Sequence, residues 1–383
     1  MIRNLLLTLC TLALTFAAGA FAIEPIRIGT TQSLSGPLQD FGTNQLRGLQ
    51  MWMGDVNARG SLLGRPVVLV YYDDESSPGR SAELYQKLIV EDKVDLLIGP
   101  YSSDITLAAS QVAEEHNMPM LTLGASSDEI WAQGYDNIVG LDVPSTRYMD
   151  IAIEAAFDQG AKTMALVWAD TDFGHDVVGG VRVKASEMGL QIVLDKSADG
   201  AAALPKMVAE LGAVDADVIM AIVYLEGAVD LVRGLKQAGV KPKMLVFGVG
   251  ASLAEFGQTL LGDAEGVVGV VQWLRGIKMP GAQDFAYRFR KRYGHNPAAY
   301  AALGYSGGAV IEAAVRLAGT TDHAAVREQL HNMVFNSLLG IYQVDADGRQ
   351  LGKNNYLMQW QGKDRRLVAP AIVAETRLIY PML

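Results

Sequence analysis

The sequence DLLIGPYSSDITLAAS, residues Asp95–Ser110, contains a compact pattern of strand, turn and helix. An apolar run, Leu96 to Ile98, ends at Gly99-Pro100; two serines follow, and apolar residues then recur at helical spacing. This order predicts a buried strand, a tight turn and a helix N-terminus. The free N–H groups and partial positive charge of a helix N-terminus attract anions. Serine hydroxyls there can cap the helix or hold a ligand, and the turn alone leaves both roles open.

The alternation of short β-like runs with amphipathic helical segments extends along the chain from Ile26. This alternation predicts an α/β fold with parallel sheets that are covered by helices on both faces. The apolar run Val67–Val70 lacks alternation, which is typical of a strand buried on both faces. The predicted strands are Ile26–Thr30, Val67–Tyr72, Val94–Ile98, Met118–Leu123, Thr163–Trp168, Val218–Val223, Met244–Phe247 and Val267–Val271.

The end of the chain is predicted to contain a hairpin. Leu338–Val344 and Asn354–Trp360 flank Asp345-Ala346-Asp347-Gly348, a typical turn sequence. The same four residues begin like a calcium loop, but Tyr356 stands where the loop-closing glutamate is required. We therefore expect a turn here and no metal.

The first 22 residues predict export. Met1–Ala22 has one early cation, Arg3, then an apolar stretch and small residues before a cleavage site after Ala22, as in a secretory signal peptide. Cys10 is the only cysteine of the chain and lies in this leader. The mature chain therefore has no disulfide, and its stability must come from a large hydrophobic core. Its 361 residues of the total 383 suffice for two domains.

The charge argues against nucleic acid or an anionic membrane as a partner. Removal of Arg3 with the leader changes the formal net charge from −10 to −11, whereas phosphate-rich partners select basic surfaces. No later segment is apolar enough to span a bilayer. We expect a soluble, monomeric periplasmic protein.

Small and hydroxyl residues follow three predicted strands, in the segments Gln32–Pro37, Gly99–Ser103 and Gly124–Ser127. If these strands are parallel in one sheet, the three loops meet at one edge, where ligands of such folds bind. That edge would be rich in N–H and O–H donors, which suits a carboxylate or another small anion. The alternative is that glycine and serine simply form turns; the coincidence of three loops favours a site.

The ordered motifs of the chain resemble the leucine/isoleucine/valine-type periplasmic binding proteins, the solute receptors of ABC importers. The resemblance covers essentially the whole mature chain, and it depends on the order and spacing of the motifs because no single one is specific. The motifs are IRIGTTQSLSGPLQDFG, GLQMWMGDVNARGSLLGRPVVLVYYDDESSP, LLIGPYSSDITLAAS, MPMLTLGASSDEI, WADTDFGHD and GDAEGVVGVVQW.

The resemblance implies a two-lobed type I periplasmic-binding fold, with a mainly parallel sheet and helices on both faces in each lobe. The first lobe is expected to comprise residues 23–142 and 273–341, and the second residues 143–272 and 342–383. The ligand would lie between the lobes, and its binding would close them. A membrane permease with a separate ATPase would then receive it, so no cofactor is expected in this chain.

The same resemblance implies candidate ligand-binding residues. Ser103 and Ser126 would meet the ligand's carboxylate through a hydroxyl and a backbone N–H each, and aromatic residues would form the wall for its side chain. The aromatic residues could instead pack in the core. The full set is Phe41, Tyr101, Ser103, Gly124, Ala125, Ser126, Phe173, Tyr224 and Gly250.

One departure from the family concerns the ligand's ammonium group. Amino-acid receptors of this type commonly place a glutamate after the strand that here ends VFGVG. Gly250 holds that place by spacing, and a gapped alignment gives Phe247 instead. A buried ammonium group without an acidic partner is costly. Either Glu226 or Asp172 compensates, or the ligand is a carboxylic acid or amide without an amino group.

Catalysis is the disfavoured alternative. Gly304–Gly308, GYSGG, matches the nucleophile elbow of serine hydrolases. An elbow requires a preceding strand, whereas Pro297–Leu303 is rich in alanine and Ala309–Leu317 continues with helical spacing. We therefore expect two helical turns around Ser306 and a receptor that is not an enzyme. A ligand sensor with the same fold remains the other alternative.

Overall fold

The computed structural model describes residues 23–197 and 204–382. The predicted signal peptide, Met1–Ala22, lies outside the described residues. The strands are β1 (Ile26–Gln32), β2 (Val67–Asp73), β3 (Leu96–Ile98), β4 (Met120–Thr122), β5 (Ile138–Gly140), β6 (Thr163–Trp168), β7 (Gln191–Ser197), β8 (Val218–Ile222), β9 (Met244–Phe247), β10 (Val268–Val271), β11 (Phe335–Ser337), β12 (Gly340–Tyr342), β13 (Tyr356–Gln361) and β14 (Asp364–Ala369). The α-helices are α1 (Gln39–Ala58), α2 (Pro78–Val90), α3 (Ser103–Glu115), α4 (Glu129–Ala132), α5 (Asp150–Asp158), α6 (Asp172–Glu187), α7 (Leu204–Val214), α8 (Leu225–Ala238), α9 (Ala254–Leu260), α10 (Ala282–Tyr293), α11 (Ala299–Ala318) and α12 (His323–Asn332).

The first sheet is parallel throughout, with the strand order β2-β1-β3-β4-β5. Its side chains alternate between two cores, as expected for a sheet covered on both faces. Ile98 and Leu121 belong to the core that includes residues of α1 and α11. Leu97 and Met120 belong to the opposite core, with residues of α2 and α3. The predicted parallel α/β arrangement is confirmed for this sheet.

The second sheet has the order β14-β13-β10-β9-β8-β6-β7. Its strands from β6 to β10 pair in parallel, and β13 and β14 are antiparallel additions at one edge. Met220 belongs to the core with residues of α5 and α6, and Ala221 to the core with residues of α7 and α8. Helices therefore cover this mainly parallel sheet on both faces, as predicted.

Three segments of the chain cross between the two sheets. The first follows β5, the second follows β10, and the third connects β12 to β13. Between the second and third crossings lie α10, α11 and α12, and α11 packs against α1 beside the first sheet. The close approach of these two helices requires glycine, because a Cβ at Gly48 would lie 2.0 Å from the carbonyl oxygen of Ala301. At Gly304 it would lie 2.1 Å from that of Gln45.

The C-terminal hairpin prediction is wrong in its pairing. The strand predicted at Asn354–Trp360 forms as β13 but pairs with β10 and β14, and β12 pairs with β11. Residues Tyr356–Trp360 are all buried. A strand with such burial is more stable between two neighbouring strands than in a two-stranded hairpin. Asp345–Gly348 does form a turn, closed by the single bridge between Val344 and Gln350.

Four strands are absent from the prediction. Both β5 and β11 have only three residues, while β7 and β14 are edge strands with charged or half-exposed side chains. The two edge strands lack the apolar run that identifies a buried strand, and a run as short as Ile138–Gly140 does not by itself distinguish a strand from other buried structure. No helix among residues 23–197 and 204–382 combines the length and apolar character needed to cross a bilayer.

Candidate functional site

A narrow cavity lies between the two sheets, where loops after β3 and β4 face the N-termini of α6 and α8. Its free volume is about 30 Å³, which corresponds to about one or two water molecules. The lining residues come from both sides and from two of the crossing segments. They are Tyr101, Ser102, Ser103, Asp104, Gly124, Ser126, Tyr148, Thr171, Phe173, Tyr224, Val249, Gln272 and Tyr300.

One end of the cavity is built from hydrogen-bond donors. Ser103 begins α3, and its Oγ accepts hydrogen bonds from the backbone N–H groups of Ser126, at 3.2 Å, and Ser127, at 3.1 Å. Ser102, the residue before the helix, makes no side-chain capping bond. Because both N–H groups are already bonded to Ser103 Oγ, the donor that remains for a ligand is the O–H of Ser103. This hydroxyl lies at a helix N-terminus, which suits an anionic group.

Gly124 shapes the same end of the cavity. It has a φ of +69°, and a Cβ there would lie 2.5 Å from both the Tyr101 ring and Nε2 of Gln45. Its N–H donates a bond of 2.6 Å to Oδ2 of Asp142. Only glycine tolerates both the left-handed backbone and this close approach.

Aromatic rings form much of the remaining wall, and Phe41 packs on one of them without lining the cavity itself. Phe41 stacks on Tyr101 with ring centroids 4.6 Å apart, and Tyr300 contacts both rings edge-on. On the other side, Tyr148 contacts Phe173 edge-on at 5.2 Å. Burial raises the pKa of the Tyr101 and Tyr148 hydroxyls well above their usual value. These groups therefore stay neutral and offer O–H donors at physiological pH.

A buried cluster behind the cavity connects the three crossing segments. We call Asp142, Gln272 and Lys353 the hinge cluster; each lies on a different crossing segment. The Nζ atom of Lys353 donates to Oε1 of Gln272 at 3.0 Å, and Gln272 also lines the cavity. Burial lowers the pKa of Lys353 to about 8, against the opposing effect of Asp142. Burial raises the pKa of Asp142, and Lys353 opposes that shift.

Two carboxyl groups meet at the rim of the cavity. Asp104, the second residue of α3, is exposed at its rim, and its side chain lies beside that of Asp172 at the start of α6. Although this carboxyl group is accessible to solvent, partial desolvation at the rim raises its pKa, and the neighbouring Asp172 raises the pKa further. The pair brings together acids from opposite sides of the cavity.

Six of the nine candidate ligand-binding residues line this cavity: Tyr101, Ser103, Gly124, Ser126, Phe173 and Tyr224. Their contact with a ligand stays a prediction. Phe41 lines a neighbouring cleft of about 940 Å³, which we call the outer cleft and which shares Tyr224 and Tyr300 with the cavity. Ala125 is buried but is not among the lining residues.

Gly250 lies outside the cavity lining, and Val249 takes its place there. A Cβ at Gly250 would lie 2.5 Å from Cβ of Ala228, so no larger side chain fits without movement. Phe247 is fully buried in the core beside the second sheet. Neither Gly250 nor Phe247, the two residues that could align with the family's glutamate, therefore faces the cavity. Of the two compensating acids considered, Glu226 lines the outer cleft, and Asp172 meets Asp104.

Several lining residues were missed by sequence reasoning. Gln272 directly follows β10, so the rule that ligands bind beyond strand ends could have identified it. Asp104 directly follows Ser103 in the motif DLLIGPYSSDITLAAS. Tyr148 and Tyr300 follow no strand and carry no local signal, because their positions depend on the crossing segment and on the packing of α11.

Ser306 lacks the geometry of a nucleophile elbow. It lies within one continuous helix, α11, instead of two helical turns, and it is fully buried. Within the described residues its Oγ has no hydrogen-bond partner. A buried serine inside a helix, with no hydrogen-bonded base among the described residues, therefore lacks the strand-to-helix turn and the exposed hydroxyl of a nucleophile elbow.

Known proteins share both the sequence pattern and this architecture. The family described as periplasmic binding protein matches residues 25–365. A relative described as Leu/Ile/Val-binding protein homolog 7, from Brucella abortus (strain 2308), is 28% identical over an alignment 384 positions long, which covers 94% of this chain and 96% of the relative.

Two solved structures have the same fold. The branched-chain amino acid transporter substrate-binding protein LivJ from Streptococcus pneumoniae str. Canada MDR_19A, in complex with isoleucine, has a TM-score of 0.79 and 23% identity, and the match covers 91% of this chain and all of that one. A solute-binding protein of an ABC transporter from R. palustris, in complex with benzoate, has a TM-score of 0.79 and 22% identity over 94% of this chain and 97% of that one. With the family match spanning most of its length, the chain belongs to the periplasmic binding protein family.

Proposed function

We propose that the protein is a solute receptor of an ABC importer that binds a small carboxylate, an amino acid above all, in the cavity between two lobes. The observation that carries this proposal is that the Ser126 and Ser127 N–H groups hold Ser103 Oγ as their acceptor, which leaves the Ser103 O–H as a fixed donor at the N-terminus of α3. In a closed cavity, such preorganised donors bind a carboxylate strongly because little water competes for them.

The proposed lobes follow the two sheets. The first comprises residues 23–142 and 273–341, and the second comprises residues 143–272 and the chain from 342 onward. The placement of the cavity between the sheets and the three crossing segments support this division. Binding would close the lobes, and a membrane permease would recognise the closed form.

The setting of the protein follows from the same proposal. We infer that the chain is exported to the periplasm, acts there as a monomer without enzymatic activity, and delivers its ligand to a permease driven by a separate ATPase. The family match supports this role. The buried position of Ser306 removes the main argument for catalysis.

The identity of the ligand has two candidates within the carboxylate class. The isoleucine complex of the S. pneumoniae protein supports an amino acid. The benzoate complex of the R. palustris protein supports a carboxylic acid without an amino group. Both share the carboxylate that the Ser103 region would hold.

Native mass spectrometry of the purified protein tests the proposal directly. A co-purified small acid, or a carboxylate from an amino-acid and organic-acid panel that raises the melting temperature, would support it. Absence of binding to every member of the panel, in protein stripped of ligand by unfolding and refolding, would refute the assignment to small carboxylates.

A further inference from the structure

The charged side chains in and around the cavity bear on which carboxylates it would bind. Among the described residues that line the cavity there is no lysine, arginine or histidine. Lys353 lies nearby, but its charge is offset by Asp142 within the hinge cluster. A carboxylate in the cavity would therefore meet neutral hydrogen-bond donors and no cationic side chain among these lining residues.

Negative charge, in contrast, is present. Asp104 lines the cavity immediately after Ser103, which is the proposed carboxylate contact. Asp172 approaches Asp104 from the opposite side of the cavity. Two carboxylates side by side repel each other, and they also repel a bound anion.

A zwitterionic ligand would be repelled less by these two acids than a simple anion, because it also carries a positive charge. The carboxylate and ammonium groups of an α-amino acid are attached to the same carbon atom. Ser103, Ser126 and Asp104 line the same cavity, so a ligand whose carboxylate contacts the two serines would place its ammonium group in the cavity that Asp104 also lines. The attraction of Asp104 and Asp172 for the ammonium group then offsets their repulsion of the carboxylate. Benzoate or 4-methylpentanoate has no group that does so.

Glu226 is less well placed than Asp104 to bind the ammonium group. It lines the outer cleft, beyond Tyr224, and is not among the residues that line the cavity with Ser103. Asp104 also lies close enough to Tyr224 to affect that hydroxyl, so the acid and the aromatic wall belong to the same site.

We propose that Asp104 binds the ammonium group of a zwitterionic amino acid, and that Asp172 approaches the same group from the second lobe when the lobes close. The negative charge for the ammonium group is thus supplied at the N-terminus of α3. This assignment rests on the proposed function, and it makes Asp104 the residue that selects amino acids over simple carboxylates.

The test compares matched ligand pairs in matched variants. L-leucine is paired with 4-methylpentanoate, and L-phenylalanine with 3-phenylpropanoate, because each pair differs only in the amino group. Calorimetry is performed on wild type, Asp104→Asn and Asp172→Asn. Asp284→Asn is the control, because Asp284 is also an acid in the first turn of a helix, α10, but lies outside the cavity.

We expect wild type to bind the amino acid of a pair more tightly than its deaminated partner. Asp104→Asn should weaken amino-acid binding about 10-fold or more, a value reduced for the exposure of this side chain, and should leave binding of the deaminated acid unchanged or improved. Asp172→Asn should act in the same direction with a smaller effect, and Asp284→Asn should change neither.

Each other outcome is decisive. Wild type that binds the deaminated acid as tightly as the amino acid would refute the role of Asp104 while leaving a carboxylate receptor in place. Equal losses for both members of a pair in Asp104→Asn, with an unchanged melting temperature, would show a general effect on the site and would also refute it. Failure of wild type to bind any amino acid or organic acid would overturn the proposed function itself.

Discussion

The Nζ atom of Lys353 donates a hydrogen bond of 3.0 Å to Oε1 of Gln272, and this bond joins the second and third segments that cross between the sheets. Asp142, on the first crossing segment, faces the same lysine and accepts the N–H of Gly124 in the cavity wall. Breaking a buried polar cluster is costly when it leaves a charged group unpaired. The hinge cluster therefore connects the crossing segments to the loop that is proposed to bind the carboxylate.

The first prediction concerns the pH dependence of stability. Burial lowers the pKa of Lys353 from 10.5 to about 8. Between these values the unfolded chain binds a proton at this lysine that the folded chain has lost, so the free energy of unfolding contributed by this group rises with pH. Lys353→Met should abolish that contribution, which amounts to about 2 kcal/mol between about pH 7 and pH 10.

Urea unfolding of both proteins across this pH range provides the measurement. Lys353→Met also changes the titration of Asp142, because the two groups affect each other. The comparison is therefore repeated in an Asp142→Asn background, where the remaining titrating groups are common to both chains and the difference reports on the lysine. Parallel curves, with a difference that stays constant from about pH 7 to pH 10, would contradict the buried position of the charge.

The second prediction concerns Gly250. A Cβ at this position would lie 2.5 Å from Cβ of Ala228 and 2.8 Å from the carbonyl oxygen of Tyr224. Gly250→Ala should therefore destabilise the protein by about 1–3 kcal/mol through overpacking. Gly179→Ala is the matched control, because Gly179 lies within α6 and nothing is within 4 Å of its Cβ position. The control should be neutral or slightly stabilising. Equal melting temperatures for the two variants would show that the space at Gly250 is open.

The sequence predicted the cavity better than it predicted the acids around it. Ser103 and Ser126 follow strands whose apolar runs are unmistakable, so the parallel arrangement brought their loops together as expected. Gly250 was assigned by spacing along the chain, whereas its exclusion from the cavity depends on how closely α8 packs against the turn after β9. The approach of Asp104 to Asp172 depends on how two separate sheets face each other, which no local pattern records.

The same reasoning explains the misplaced hairpin. The turn at Asp345–Gly348 was visible locally, but the partner of β13 was not, because β13 pairs with β10, a strand almost a hundred residues earlier. Strands that are this far apart in the sequence pair because both faces of the sheet are buried. The apolar run of Tyr356–Trp360 indicated that burial, but it could not identify the neighbour.

The third prediction concerns the carboxylate site. Ser103→Ala and Ser126→Ala should each weaken ligand binding by about 1.5–3 kcal/mol, because each removes a hydroxyl that is aimed at a desolvated anion. Ser306→Ala serves as the control: Ser306 is equally buried, and its Oγ has no partner within the described residues. Calorimetry with the tightest ligand of the panel measures the effect. Unaltered affinity in both cavity variants would exclude them as carboxylate contacts.

The last prediction concerns movement of the lobes. The cavity has a free volume of about 30 Å³, room for about one or two water molecules, so an amino acid can reach Ser103 only when the two lobes separate. Small-angle scattering of ligand-free protein should therefore show a larger radius of gyration than this structure gives, and saturation with ligand should reduce it. Gln272→Ala removes the acceptor of Lys353 on a crossing segment and should shift the ligand-free curve further toward the open form. Identical curves with and without ligand, at concentrations where calorimetry shows saturation, would contradict a hinge mechanism.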